Sequence, residues 1–504
     1  MRVKFSNSIS ILIALTGLAL GLRLHAIDRL SIWFDEGFTV WKIHQSFSEI
    51  FFLTRIDTVP PLYYYLLKSW VGFFGESDST IRSLSALLGA ATVPLIYLLG
   101  KTLFDIKTAL MAAFLLTLST YHIQYSQEAR SYTLLLLLFA SALYFLLLVQ
   151  RSEKTVFWVG YAVCGTLLMY AHGISLFYLT VLNLYFLFSK QTWRKDILQN
   201  WVVANTVIMV CFLPWFLVYV KQIASFQHQT LLPTPTFNEV INTLILLASL
   251  PPSNPQLLPS ALKSWANLIP LIQCVWMISV LFLFLTPLMA YSYNCFKRVV
   301  DLYLIFFLPI VMIFLFSVTL RSVYVDRLFF VCLVPLSLLL AINLKFQSSQ
   351  SKTITAIFLA LYILCNSFSI NAYYHSNWKE DYRSATEYLI ENAGPGDVLI
   401  FVSHVGEIIF DWYSRERRHD LIKTGLPEGI YDRGEPDSGL IVRHPQDVER
   451  LNDIVRRGKR IWLFRNRTWT HDPQEISQKW MDEHLYRQQT IDFSGIQIIA
   501  YQSP

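Results

Sequence analysis

Charge is what this sequence has least of. Only 15% of its 504 residues are Asp, Glu, Lys or Arg, against about 25% in ordinary soluble domains. Hydrophobic residues make up 54%, and the mean hydropathy is +0.43. That shortage excludes a soluble chain over most of the length. Apolar runs of roughly 18 or more residues recur through the first three quarters, each long enough to cross a bilayer as a helix. Cysteine is scarce too. The six (Cys164, Cys211, Cys274, Cys295, Cys332 and Cys365) all lie within or at the ends of apolar runs, with no CxxC. They read as small buried hydrophobes. Neither a GxGxxG nor a P-loop motif is present, which argues against a dinucleotide or nucleotide-phosphate cradle. No internal repeat of the inverted-transporter kind is visible.

The charge that is present is unevenly placed. Residues 373–504 hold 17 basic and 21 acidic side chains, and residues 1–372 hold 24 and 14. Half of all charged residues therefore fall in the last quarter. This predicts a domain boundary near 373: a transmembrane domain over 1–372 and a soluble domain over 373–504. The net charge of +6 is not a nucleic-acid signal, because the basic residues sit in short loops between apolar runs, as topology determinants do.

About eleven spans are expected by length and hydropathy, near 8–26, 80–100, 107–123, 131–150, 155–171, 173–189, 199–220, 266–292, 299–320, 328–345 and 353–372. The basic N-terminus and apolar run resemble a signal peptide, but with many spans behind it the segment reads as an uncleaved first helix. Basic pairs at Arg2/Lys4, Lys101/Lys107, Arg151/Lys154, Lys190/Arg194/Lys195, Lys297/Arg298 and Lys345/Lys352 all fall on one side, the cytoplasmic one by the positive-inside rule. The N-terminus is then inside and the tail outside. The apolar stretch 60–75 is too short to span and reads as an interfacial or re-entrant helix, and 237–250 is an apolar helix candidate within an outer loop, about 221–265, that is Pro-rich at 233–235 and 251–255. In the tail, helices are expected at 380–393, 406–414 and 446–458. Strands are expected at 397–403, 439–443, 460–466 and 496–502, in a Rossmann-like α/β layer.

Polar residues gather on the outer side. Asp35 and Glu36 lie in 31-SIWFDEGFTV-40, Glu128 and Arg130 in 121-YHIQYSQEARSY-132, His172 in 170-YAHG-173, and Arg82 and Arg327 open later spans. A helix N-terminus disfavours a cation. Arg82, Arg130 and Arg327 near such ends therefore suggest an anion site, where a guanidinium fork and free N–H groups hold phosphate. Pairing with a carboxylate or lipid headgroup is the plain alternative for each. Asp35 and Glu36 read either as a cap or ion pair, or as a general base at the membrane boundary. Glu128 reads as a site carboxylate or a first-turn helix acid. His172 reads as a phosphate or metal ligand or a structural histidine.

SIWFDEGFT, PPLYYYLL, YSQEARSYTLLLLL, YAHGISL and DRLFFVCLVPLSLLLA, in that order, resemble bacterial polytopic glycosyltransferases of the GT-C class. These are relatives of the protein O-mannosyltransferases and of the lipid A aminoarabinose transferase. The resemblance is strongest over 28–150. It implies a polyprenyl-phosphate sugar donor and a lipid, glycan or protein acceptor with a free hydroxyl at the outer face of a bacterial inner membrane. Membrane lipids are then partners, and nucleic acid is not. By the same resemblance Asp35 is the catalytic aspartate, Glu36 completes its motif, and Glu128 and Arg130 shape the donor or phosphate site. Val59 stands where relatives often carry His before Pro60-Pro61, and Arg327-Leu328 stands for a usual Arg-Tyr. Some relatives use a divalent cation and others do not. No compact His/Asp cluster decides between them here. A transporter or flippase of lipid-linked sugars is the alternative reading.

Overall fold

A computed structural model describes residues 2–502 except 56, 58, 153, 189–193, 226–232, 250–268, 289–292, 346–348, 418–419, 427–441, 443–445, 450 and 456–459. Helix α1 (Arg2–Leu24) opens the chain. Two short helices, α2 (Phe34–His44) and α3 (Phe47–Thr54), precede α4 (Leu62–Phe74). Then come α5 (Asp78–Leu103), α6 (Ile106–Leu118), α7 (Thr120–Ser126), α8 (Tyr132–Val149), α9 (Thr155–Ala171) and α10 (Ser175–Phe188). The apolar part ends with α11 (Lys195–Ser225), α12 (Phe237–Leu247), α13 (Ile269–Leu285), α14 (Tyr293–Thr319), α15 (Leu333–Ala341) and α16 (Ser349–His375).

Every apolar run expected to span is helical where it is described. Eight described helices are long and apolar enough to cross a membrane, nine if α6 and α7 form one span bent by 60°. α9 and α10 are shorter, at 17 and 14 residues, and the chain breaks between them at 172–174 as expected. The stretch too short to span forms α4, and the outer-loop candidate forms α12. The Pro-rich stretch 251–255 lies outside the described residues.

Small residues let the spanning helices approach closely. A Cβ added at Gly100 of α5 would lie 2.8 Å from the Ala109 Cα of α6 and 3.2 Å from Leu338 of α15. Polar caps set the ends. Ser77 caps α5 by accepting from Thr80 N, and Asp105 caps α6 by accepting from Thr108 N at 2.9 Å. Burial pushes the Asp105 carboxyl up, but the Thr108 N–H and Lys345, 3.1 Å away, outweigh it and hold it below its ordinary value.

The tail contributes α17 (Tyr382–Asn392), β1 (Val398–Val402), α18 (His404–Ser414), β2 (Ile422–Leu426), α19 (Gln446–Glu449), α20 (Leu451–Val455), β3 (Arg460–Asn466), α21 (Thr468–His471), α22 (Ile476–His484), β4 (Tyr486–Phe493) and β5 (Ile496–Gln502). The sheet order is β2-β1-β3-β5-β4. β1 runs parallel to β2 and β3, and β5 is antiparallel to β3 and β4. β1, VLIFV, is buried along its whole length, as a strand covered on both faces must be. Expected strands at 397–403, 460–466 and 496–502 correspond to β1, β3 and β5. The one expected at 439–443 lies outside the described residues apart from Val442. β2 and β4 carry no apolar run because they are the two edges. Asp397 ties the first turn of the sheet together, accepting from Gly394 N at 2.9 Å, Trp462 Nε1 at 3.0 Å and Arg460 Nε at 3.1 Å.

The chain divides into two compact units. One is Met1–Ile27 with Thr58–Ser376. The other is Asp28–Asp57 with Asn377–Pro504. Helices α2 and α3 thus group with the tail sheet, though residues 58–376 of the other unit lie between the two parts in sequence.

Gly100→Val forces two β-branched methyls onto the Ala109 backbone. Thermal unfolding of the purified protein should show a loss of about 1–3 kcal/mol, the usual cost of overpacking a tight core.

Candidate functional site

In the first unit, five of the residues singled out by sequence lie on elements joined by a chain of short contacts. Arg82 is buried one turn before Ser85 on α5 and donates to Ile27 O at 2.9 Å. Ser85 donates to Arg130 O at 3.2 Å and shares a 2.7 Å bond with the Tyr63 hydroxyl of α4. Arg130 closes a tight turn, its N–H donating to Glu128 O at 2.8 Å. Glu128 is buried. Tyr125 and Tyr132 bracket that turn with ring centroids 5.2 Å apart, and Tyr132 lies 6.0 Å from the His172 ring. Tyr125 also donates to Asp326 at 3.3 Å, the residue before Arg327.

Arg130 sits two residues before α8, while Arg327 lies inside the 3-10 turn Asp326–Cys332 that leads into α15. Arg130 and Arg327 are partly exposed, whereas Arg82 and Glu128 are not. These links bring the elements that carry Arg82, Arg130 and Arg327 together at helix ends. His172 orients its own turn, its Nδ1 accepting from Ile174 N at 3.3 Å. Among the described residues no three His, Cys, Asp or Glu side chains converge as metal ligands, so no step is derived through a metal.

Gln127, in the same loop, ties it to two other helices. Its amide donates to Arg23 O at 3.1 Å and His25 O at 2.7 Å, and it accepts from Tyr373 at 2.8 Å. Arg23 itself escaped sequence reasoning. It is fully buried at the end of α1, and its guanidinium reaches Leu116 O at 3.1 Å, Thr117 O at 3.3 Å, Ala19 O at 2.9 Å and His122 Nδ1 at 2.8 Å. Leu116 and Thr117 lie in the last turn of α6, where the break at Ser119 interrupts regular helical bonding; Leu116 O also accepts from the Ser119 N–H at 3.3 Å. The available signal was a lone Arg at the end of an apolar run, since an ionisable group there demands a partner.

Asp35 and Glu36 belong to the second unit, on the first turn of α2. Glu36 is wholly buried. It accepts weakly from Trp33 N at 3.4 Å in a capping arrangement, and the Lys379 ammonium lies 3.6 Å away. Asp35 is only half-buried, and its backbone carbonyl accepts from Thr39 Oγ1 at 3.3 Å. The two side chains leave the helix about 100° apart; Glu36 is wholly enclosed, whereas Asp35 is partly exposed with its Oδ2 buried. Nearby, the Tyr382 phenol is pushed well above its ordinary range by burial and by Glu380, with Arg467 opposing, and so stays neutral. Lys379 and Arg467 were also missed by sequence, since each lies far along the chain from the residues it touches.

These features define a class: a multi-pass helical membrane fold with a cationic cluster at helix ends and a small α/β unit. Residues 58–218 match the family model described as dolichyl-phosphate-mannose-protein mannosyltransferase. The fold is similar to that of ArnT from Cupriavidus metallidurans bound to undecaprenyl phosphate, with a TM-score of 0.58, 14% identity and 97% of each chain covered. It is also similar to the oligosaccharyltransferase AglB from Archaeoglobus fulgidus in complex with an inhibitory peptide and a dolichol-phosphate. There the TM-score is 0.55 at 12% identity, covering all of this chain and 75% of the other. No curated protein sequence matches the chain significantly. The family match covers 161 of the 504 residues, 58–218, and the two likenesses, at 14% and 12% identity, are likenesses of fold.

Arg23→Leu removes the side-chain donor from the Leu116 and Thr117 carbonyls inside the bundle, of which Leu116 O keeps the Ser119 N–H. It should destabilise the protein by about 1–3 kcal/mol, the cost of a buried polar group left unsatisfied. A falling melting temperature in detergent would show this, and an unchanged one would show that the carbonyls find other partners.

Proposed function

We propose that the protein moves a sugar from a polyprenyl-phosphate donor to a hydroxyl acceptor at the outer face of a bacterial inner membrane. The observation that carries this reading is the joined cluster of Arg82, Glu128, Arg130, His172 and Arg327, which suits a phosphate. It is supported by the undecaprenyl phosphate and dolichol-phosphate named in the two similar structures. The acceptor is a lipid, a glycan or a protein side chain. The basic loops support an orientation with the N-terminus cytoplasmic and the tail periplasmic.

The chemistry follows from the groups available. Asp35 takes the proton of the acceptor hydroxyl, whose oxygen attacks the anomeric carbon. The bond from that carbon to the phosphate oxygen breaks, and polyprenyl phosphate leaves with the electron pair and with inversion at carbon. Arg130 and Arg327, with Arg82 behind them, stabilise the charge that builds on the leaving phosphate. Glu128 and His172 orient this cationic group. Glu36 steadies the helix that carries Asp35.

Transport of a lipid-linked sugar draws less support. Arg23, a fully buried cation in α1, is taken up by backbone carbonyls and His122 rather than lining a route.

Asp35→Asn should lower transfer from a radiolabelled polyprenyl-phosphate sugar by roughly 10²–10⁴-fold, the range for loss of a general base. Arg130→Ala should lower it too and weaken retention of the lipid phosphate. Near-normal turnover by correctly inserted Asp35→Asn protein would remove Asp35 from the role.

A further inference from the structure

In open α/β sheets, ligands bind outside the carboxyl ends of the parallel strands, where the strand order reverses. Here that place is between β1 and β3, because the chain leaves β1 for β2 on one side and β3 lies on the other. The residues that follow these two strands do not face an empty crevice. The Arg467 guanidinium, just past β3, lies 5.3 Å from the Trp33 ring centre and 4.9 Å from that of Phe34. His471 of α21 stacks on Phe34 at 4.8 Å and 26°. After β1, helix α18 packs on α2 so closely that a Cβ on Gly37 would lie 2.7 Å from Ile409 Cγ1 and 3.1 Å from Val405 Cγ1. The position at which such a sheet holds a ligand is filled by residues 33–37 of the chain itself.

The tail grips the same segment from a second side. Lys379 stands over Trp33 at 5.4 Å and Trp378 at 5.0 Å while it neutralises buried Glu36. Ser31 donates to Asp381 at 3.1 Å, the Ile32 N–H donates to the Tyr413 hydroxyl oxygen at 2.7 Å, and Arg383 donates to Asp28 O at 2.8 Å. Arg467 holds a left-handed backbone, φ 45° and ψ 42°, uncommon for a residue with a Cβ, while its Nε bonds Glu380 at 2.5 Å. Backbone conformations of this kind gather at functional positions.

We infer that Lys379 and Arg467 are positioning residues for Asp35, and that the tail unit's role is to set the rotation and tilt of α2. The inference rests on the proposed reading of Asp35 as the base. With Glu36 and Gly37 fixed against the tail, helix geometry leaves the Asp35 carboxylate one direction. The tail sheet is then a cradle for an internal helix rather than a cofactor domain, consistent with its lack of a glycine-rich phosphate loop.

The full-length protein in detergent provides the test, with two readouts: kcat and donor KM for sugar transfer, and amide hydrogen exchange over 34–44. Lys379→Met, Arg467→Gln and Gly37→Ala should each speed exchange there. Each should also lower kcat by roughly 10–100-fold at nearly constant donor KM, because small misplacements of a reacting group cost that much. Lys379→Arg, which keeps the charge over both indoles, should recover most of kcat. Ile409→Ala, added to Gly37→Ala, should restore it by making room for the new methyl; such compensation from the tail is not expected of a general loss of folding. Unchanged exchange in all three variants overturns the inference whatever kcat does. Faster exchange with unchanged kcat leaves the anchorage standing and overturns the role of Asp35, which the Asp35→Asn protein tests separately.

Discussion

An apolar bundle tolerates an interrupted helix only where something polar meets the exposed backbone. The first unit depends on that constraint at one place above all. The chain breaks between α6 and α7, and at the break regular helical bonding to the Leu116 and Thr117 carbonyls is interrupted, with only the Ser119 cap N–H reaching Leu116 O. Arg23, reaching across from α1, bonds both. His122, at the start of α7, receives the same guanidinium, and Thr92 and Ser126 lie within hydrogen-bond reach of its ring. Without the break, α6 would run straight on and the 127–131 turn would not form where α5, α8 and the Asp326 turn converge. The buried arginine therefore serves the site indirectly, by making the bend that delivers Glu128 and Arg130.

A similar logic governs α2 in the second unit. Its first turn carries two adjacent carboxylates, which cannot share one environment because they point about 100° apart. Glu36 goes inward, where an unpaired charge is costly, and a lysine meets it there. Asp35 is left half-buried on a different bearing. A base needs a carboxylate that a substrate proton can reach, and half-burial meets that need better than complete burial does. The adjacency of Asp and Glu thus separates a buried anchor from the partly exposed carboxylate proposed as the base, and the anchor relies on Lys379, on the other side of the apolar domain in sequence.

Much of the helical architecture was legible in the sequence because its cause is local. A run of apolar residues dictates a helix wherever it sits, and the break at His172 and the short α4 and α12 follow from run length. The strands β1, β3 and β5 were legible for a similar reason, being buried and apolar. β2 and β4 were not, since an edge strand such as YRQQTIDF needs no apolar face. The candidate cluster at Arg82, Glu128, Arg130, His172 and Arg327 could be anticipated because topology alone puts those positions at one end of the bundle. Arg23 on Leu116, or Arg467 on Phe34, could not. Such pairs are fixed by packing between distant segments, and a single sequence records neither partner's address.

The departures from the family pattern gain physical content from their surroundings. Val59, where relatives often have His, is buried among apolar residues, so any part an imidazole takes there has no counterpart in this chain. Leu328, in place of a tyrosine after Arg327, is buried as well, but its carbonyl accepts from the Tyr178 hydroxyl of α10. A phenol therefore still meets the Arg327 turn, supplied by a different helix and directed at the backbone. That bond pins the turn from below, while Tyr125 holds Asp326 from the side of the 127–131 loop. The turn that carries Arg327 is thus held by a bond to the Leu328 carbonyl and by one to the Asp326 carboxylate, and neither requires a tyrosine at 328.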